Sequence, residues 1–151
     1  LIRIEKASGK GRRKWMESRE EQRITYINQV LALTLLRNKF YYAVYPPTKE
    51  YVPNTVLTVA RAISIHAGTA PYKATVFIDG LPKSSVPKVS TTLRYLHIHN
   101  TKVRGIRNEE ADAFMRLADA ICGFVRAALE QKVGYLDVLN RAKRSGTIRE
   151  L

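Results

Sequence analysis

A chain of 151 residues has the length of one domain, and at that size roughly two thirds of the unfolded surface can be buried in a core. Hydrophobic residues at 45% and charged residues at 26% exclude a disordered tail, and no apolar run approaches the roughly 20 residues that cross a bilayer. Lys and Arg number 26 against 13 Asp and Glu, a formal net charge of +13, and a surplus of that size predicts a polyanionic partner.

The chain opens Leu1-Ile2-Arg3-Ile4-Glu5, whose alternation predicts a strand already in progress, so an element upstream of it is expected. Ser8 to Lys14 (Ser-Gly-Lys-Gly-Arg-Arg-Lys) reads as a basic loop. Ser18 stands three residues before Glu21, a capping box, and Ile24, Ile27, Leu31 and Leu35 recur at helical spacing behind it. Phe40 to Tyr45 reads as a strand stopped by Pro46-Pro47, and Asn54 as the N-cap of a helix through Ile65, with Gly68 beyond its end. Ala74 to Ile78 is apolar except for Thr75 and predicts a central strand buried on both faces, ending in Asp79-Gly80.

Ser84 or Ser85 begins a short helix to about Arg94 with Pro87 in its first turn, and Leu96 to Val103 reads as a further strand. From Asn108 to about Gln131 a helix is expected, its apolar stripe centred on Ala118 with Phe124 outside it and Cys122 within it as a buried small hydrophobe. A last helix covers Tyr135 to Arg144 and stops at Gly146. This alternation predicts a single α/β domain over residues 1–151. The single cysteine excludes an intrachain disulfide and a multi-cysteine zinc site, and fits a cytoplasmic protein.

Two carboxylates stand out. Asp79 follows a largely apolar strand, at the carboxyl end where α/β proteins place their ligand sites, although Asp-Gly is also a common turn pair. Asp119 falls on the flank of the apolar stripe, and Gly123 follows one turn later; a mid-helix glycine there predicts close approach by a strand or a ligand. A surface ion pair of Asp119 with Arg116 or Arg126 is the plainer alternative. His97 and His99 would share one face of a strand without a nearby third ligand, which argues against zinc.

The segment Arg116-Leu117-Ala118-Asp119-Ala120-Ile121-Cys122-Gly123 resembles the Leu-Ala-Asp helix of a prokaryotic family known as domain of unknown function 3800, as does Val76-Phe77-Ile78-Asp79-Gly80 and, near the start, Ile4-Glu5-Lys6. The resemblance implies a ribonuclease-H-like mixed sheet flanked by helices. It also implies metal-site carboxylates at Asp79 and Asp119, with Glu5 as a third acidic candidate. That family opens with a strand carrying Asp-Glu-Ser, a triplet this sequence does not contain, so the first strand or the full acidic set is expected to be missing.

Carboxylates holding Mg²⁺ or Mn²⁺ could activate water and neutralise a phosphodiester, which makes a metal-dependent nuclease the first expectation. A backbone-tracking surface would draw on Lys10, Arg12, Arg13 and Lys14 beside Trp15, and on Lys83, Lys88, Arg94, Lys102, Arg104 and Arg107. The alternative is a non-catalytic nucleic-acid-binding or assembly subunit whose acidic site is incomplete.

Overall fold

The computed structural model describes residues 1–47, 50–106 and 112–151. Helix α1 spans Ile2–Ala7 and α2 Glu20–Leu31, followed by a 3-10 turn at Thr34–Leu36 and strand β1 at Phe40–Tyr42. Helix α3 is Tyr51–Ala67, β2 Ala74–Asp79, α4 Val86–Tyr95 and β3 Asn100–Ile106. Helix α5 is Ala113–Leu129, α6 Tyr135–Arg144 and β4 Ile148–Glu150. The strands form two pairs, β1 with β4 and β2 with β3, so the chain is a mixed α/β protein dominated by helix.

The fold divides into two compact units. The first is built from Leu1–Phe40 with Asn108–Arg149, and the second from Tyr41–Arg107 with Glu150–Leu151. In the first unit, α5 packs against α2 and α6, and its buried residues include Leu117, Ala120, Ile121, Phe124 and Ala128. Asp112 caps α5 by accepting from the amides of Phe114 (2.7 Å) and Met115 (3.2 Å), which satisfies donors the first turn would otherwise leave open.

In the second unit β2 and β3 run parallel, with Val76 opposite Val103 and Phe77 opposite Arg104. Helix α4 makes the crossover between them, as a parallel pair requires. Val76 and Ile78 of β2 and Val103 of β3 join Val56 and Ala60 of α3 and Leu93 of α4 in one core. After β2 the chain turns back onto β3: the Gly80 amide donates to the Ile106 carbonyl (2.9 Å), and a Cβ built on Gly105 would lie 2.1 Å from the Leu81 carbonyl oxygen.

Several expectations are corrected. Residues 2–4 belong to helix α1, with Leu1 at its N-cap, because the spacing places Glu5 inward against a buried guanidinium, and that contact overrides the β-branched alternation of Ile2 and Ile4. The α2 cap lies one residue later than expected: the Arg19 amide donates to Gln22 Oε1 (3.1 Å), while Ser18 Oγ bonds back to the Lys14 carbonyl (2.9 Å). Helix α2 stops at Leu31, and Leu35 sits exposed in the 3-10 turn. Strand β1 ends at Tyr42, and α3 begins at Tyr51, which puts Asn54 inside the helix.

Strand β2 is buried on one face only, since Thr75, Phe77 and Asp79 are exposed. The strand expected from Leu96 starts at Asn100, because α4 ends in a Schellman turn. His97 there adopts φ 60° and donates its amide to the Arg94 carbonyl, and Ile98 donates to Leu93. The buried stripe of α5 is rotated by about 100° from the expected one, one residue's turn. Phe124 is 0% exposed, whereas Ala118 and Cys122 face solvent and Phe114 is 69% exposed. Residues 107–111, the expected start of this helix, lie outside the described residues. Helix α6 and its Gly146 stop (φ 71°) match the expectation to the residue.

Candidate functional site

Asp119 and Gly123 do lie on one flank of α5, and both serve the same neighbour, Trp15: Asp119 its backbone and Gly123 its indole. Asp119 Oδ2 accepts from the Trp15 backbone amide at 2.8 Å, and a Cβ on Gly123 would fall 2.3 Å from Trp15 Cδ1. The close approach that the glycine predicted is therefore an indole from the basic loop. Trp15 is buried, meets the Tyr135 ring edge-on with centroids 6.0 Å apart, and carries the Arg23 guanidinium 5.3 Å from its own ring centre.

Glu5 is buried on α1 with both oxygens spent on one partner: Arg116 Nε donates to Oε1 at 2.7 Å and a terminal nitrogen to Oε2 at 2.8 Å. That hydrogen bond pushes the Arg116 pKa up. Glu5 was expected on a strand with an open carboxylate. It is instead a helical residue whose charge is matched inside the first unit.

Lys10 was expected on a nucleic-acid surface and is instead fully buried, which removes it from that role. Its ammonium donates to the Arg13 carbonyl and lies 5.2 Å from the centre of the Tyr26 ring. Burial pushes the Lys10 pKa down, against the opposing pull of Glu5 and Asp119. Tyr26, also fully buried, has its hydroxyl pushed up to about 12, first by burial and then by the negative charge of Glu5.

Of the other loop cations, Arg12 and Arg13 are exposed and Lys14 is half-buried. Arg13 also ties the loop together, donating to the carbonyls of Gly9 (2.6 Å) and Lys10 (3.1 Å).

In the second unit Asp79 ends β2 with an exposed side chain, and its carbonyl accepts from the Tyr51 hydroxyl at 2.9 Å. Asp79 thus belongs to the second unit, and Asp119 and Glu5 to the first. The residues of the second unit include nine Lys or Arg against three Asp or Glu. Every described Lys and Arg among them is exposed: Lys83, Lys88, Arg94, Lys102 and Arg104 of the expected set, together with Arg61 and Lys73. Arg107 lies outside the described residues.

Two features escaped the sequence reading. Phe77, assigned there to a strand interior, is 47% exposed and faces Arg104 across the strand pair. Tyr72 meets the His99 ring edge-on at 5.6 Å beside Ser64, Thr69 and His97 in a shallow polar hollow; the left-handed turn at His97, invisible in the alternation of residues 96–99, puts both histidines there. Comparisons with family models, curated proteins and solved structures return no match for this chain.

Proposed function

We propose that this chain binds nucleic acid, and that the uniformly exposed cations of the second unit supply most of its affinity. The observation that carries this reading is that no described Lys or Arg of that unit is withdrawn into its core, although the unit holds only three acidic residues to balance them. Such a surface gains free energy by releasing counterions from phosphates, so its affinity must fall steeply with salt. The parallel β2–α4–β3 unit with a carboxylate at the β2 terminus supports assigning the protein to a ribonuclease-H-like type, in keeping with the resemblance to domain of unknown function 3800. A cytoplasmic location belongs to the same proposal. No helix among the described residues is long and apolar enough to cross a membrane.

The deciding experiment is oligonucleotide binding at several salt concentrations. A linear fall of log affinity with log salt is expected, and no binding at low salt refutes the reading.

A second reading, phosphodiester hydrolysis with Mg²⁺ or Mn²⁺, is favoured by the exposed carboxylate of Asp79 at a strand's carboxyl end. Glu5 does not fit a metal, since the Arg116 guanidinium takes both its oxygens. Asp119 fits only in part, since one oxygen holds the Trp15 amide. Metal-dependent cleavage that Asp79→Asn abolishes, with salt-sensitive binding retained, is the result this reading requires.

A further inference from the structure

The face of the β2–β3 pair turned away from α3 and α4 presents an unusual combination of side chains. Strand β2 contributes Thr75, Phe77 and Asp79 to it, and β3 contributes Lys102 and Arg104. The neighbouring positions Val76, Ile78 and Val103 are buried on the opposite side, so the alternation of both strands assigns this face without ambiguity. Register sets Thr75 beside Lys102 and Phe77 beside Arg104. The result is a large aromatic side chain, 47% exposed, in register with an arginine on the neighbouring strand, with a second cation two residues along the arginine's strand.

We propose that this face is a stacking platform for single-stranded nucleic acid, a deepening that rests on the binding reading above. Base stacking needs an accessible ring, and Phe77 offers one. Arg104 supplies a planar cation that stacks or pairs with phosphate, and Lys102 supplies a point charge for the next phosphate. A duplex keeps its base faces covered, so the aromatic group favours an unpaired strand.

The charges also set how the strand lies. Phosphates run along the β3 side, over Lys102 and Arg104, and bases turn toward β2. There the Asp79 carboxylate repels phosphate and accepts hydrogen bonds from base amino groups. Charge argues against a second copy as the occupant: two such faces in contact would bring two lysines and two arginines together against only two aspartates.

The test is fluorescence anisotropy with a labelled single-stranded oligonucleotide of about 15 nucleotides, a length of the order one such site covers, against an unlabelled duplex of the same sequence. Phe77→Ala should weaken single-strand binding by about 10-fold with the salt slope unchanged, and Phe77→Leu should do nearly the same while keeping the apolar surface and the fold. Lys102→Gln should lower the salt slope by about 0.7, one phosphate's share for a single strand. Parent protein that binds with steep salt dependence while all three variants bind equally well overturns the platform and leaves the binding reading standing. Parent protein that binds neither strand form overturns both. Preference for the duplex, or a dimer in sedimentation that Phe77→Ala disperses, also overturns the platform.

Discussion

Gly123→Ala separates two effects of opposite sign. Helix propensity alone favours alanine in a helix interior by about 1 kcal/mol, so an isolated α5 would gain stability. In the folded first unit the added Cβ would lie 2.3 Å, 2.4 Å and 2.6 Å from Trp15 Cδ1, Cγ and Nε1, all atoms of a rigid ring. The indole cannot yield by rotating a flexible tip. Its ring is held by Tyr135 and Arg23, and its backbone by the hydrogen bond from the Trp15 amide to Asp119, so the helix or the whole loop must shift. Overpacking of this kind costs about 1–3 kcal/mol, and after the propensity gain a net loss of up to about 2 kcal/mol remains.

Trp15 is the chain's single tryptophan, so its emission reports this contact without interference. Urea unfolding followed by that emission should show a midpoint lower by up to about 1 M, for an m-value of about 2 kcal/mol/M, and a red-shifted native spectrum. A raised midpoint with an unchanged spectrum would show that the indole does not rest on Gly123, and the account of the Asp119 flank would fail with it.

Arg116→Met should destabilise the protein by about 3–5 kcal/mol in chemical denaturation, since it strands the buried Glu5 carboxylate, and combining it with Glu5→Gln should restore part of that loss. Two buried groups set the alkaline limb of stability. For Lys10, lowered from 10.5, the unfolded chain holds the proton over the window between the folded and unfolded values, so its contribution to stability rises with pH up to about 10.5. For Tyr26, raised from 10.0 to about 12, the folded chain holds the proton instead, so its contribution falls with pH between those values. Tyr26→Phe should remove that fall in a pH series of unfolding curves, with little cost at neutral pH, because among the described residues its buried hydroxyl has no hydrogen-bond partner. Gly105→Ala should lower the thermal midpoint of the protein by forcing the Leu81 carbonyl off β3, at a cost of about 1–3 kcal/mol.

Elements bounded by strong local chemistry were legible in the sequence. Helix α6 ends where Gly146 takes a left-handed turn, and α4 starts with Pro87 in its first turn, both local steric facts. Segments whose structure depends on distant partners were not. Nothing near Ile2 and Ile4 announces that Glu5 will meet Arg116, so the β-branched alternation read as a strand. The stripe of α5 was misplaced because apolar residues occupy more than one side of that helix, and only its packing on α2 and α6 selects Phe124 over Phe114.

At the candidate sites, Gly123 correctly signalled a close neighbour but not its identity, because a glycine records a missing side chain and not what fills the space. Asp79 was placed correctly at a strand terminus. Lys10 was misread because a lysine in a run of cations gives no local sign of a Tyr26 ring waiting beneath it.

The first unit is assembled from two stretches of chain separated by most of the second. During synthesis Trp15 emerges more than a hundred residues before Gly123 and Asp119, the residues that will receive it. Helices α1 and α2 must therefore wait on the ribosome with their apolar sides uncovered, while the nearly continuous second unit can complete its core first. Interruption of translation between β3 and α5 would release a fragment with one finished half and one sticky, chaperone-dependent half.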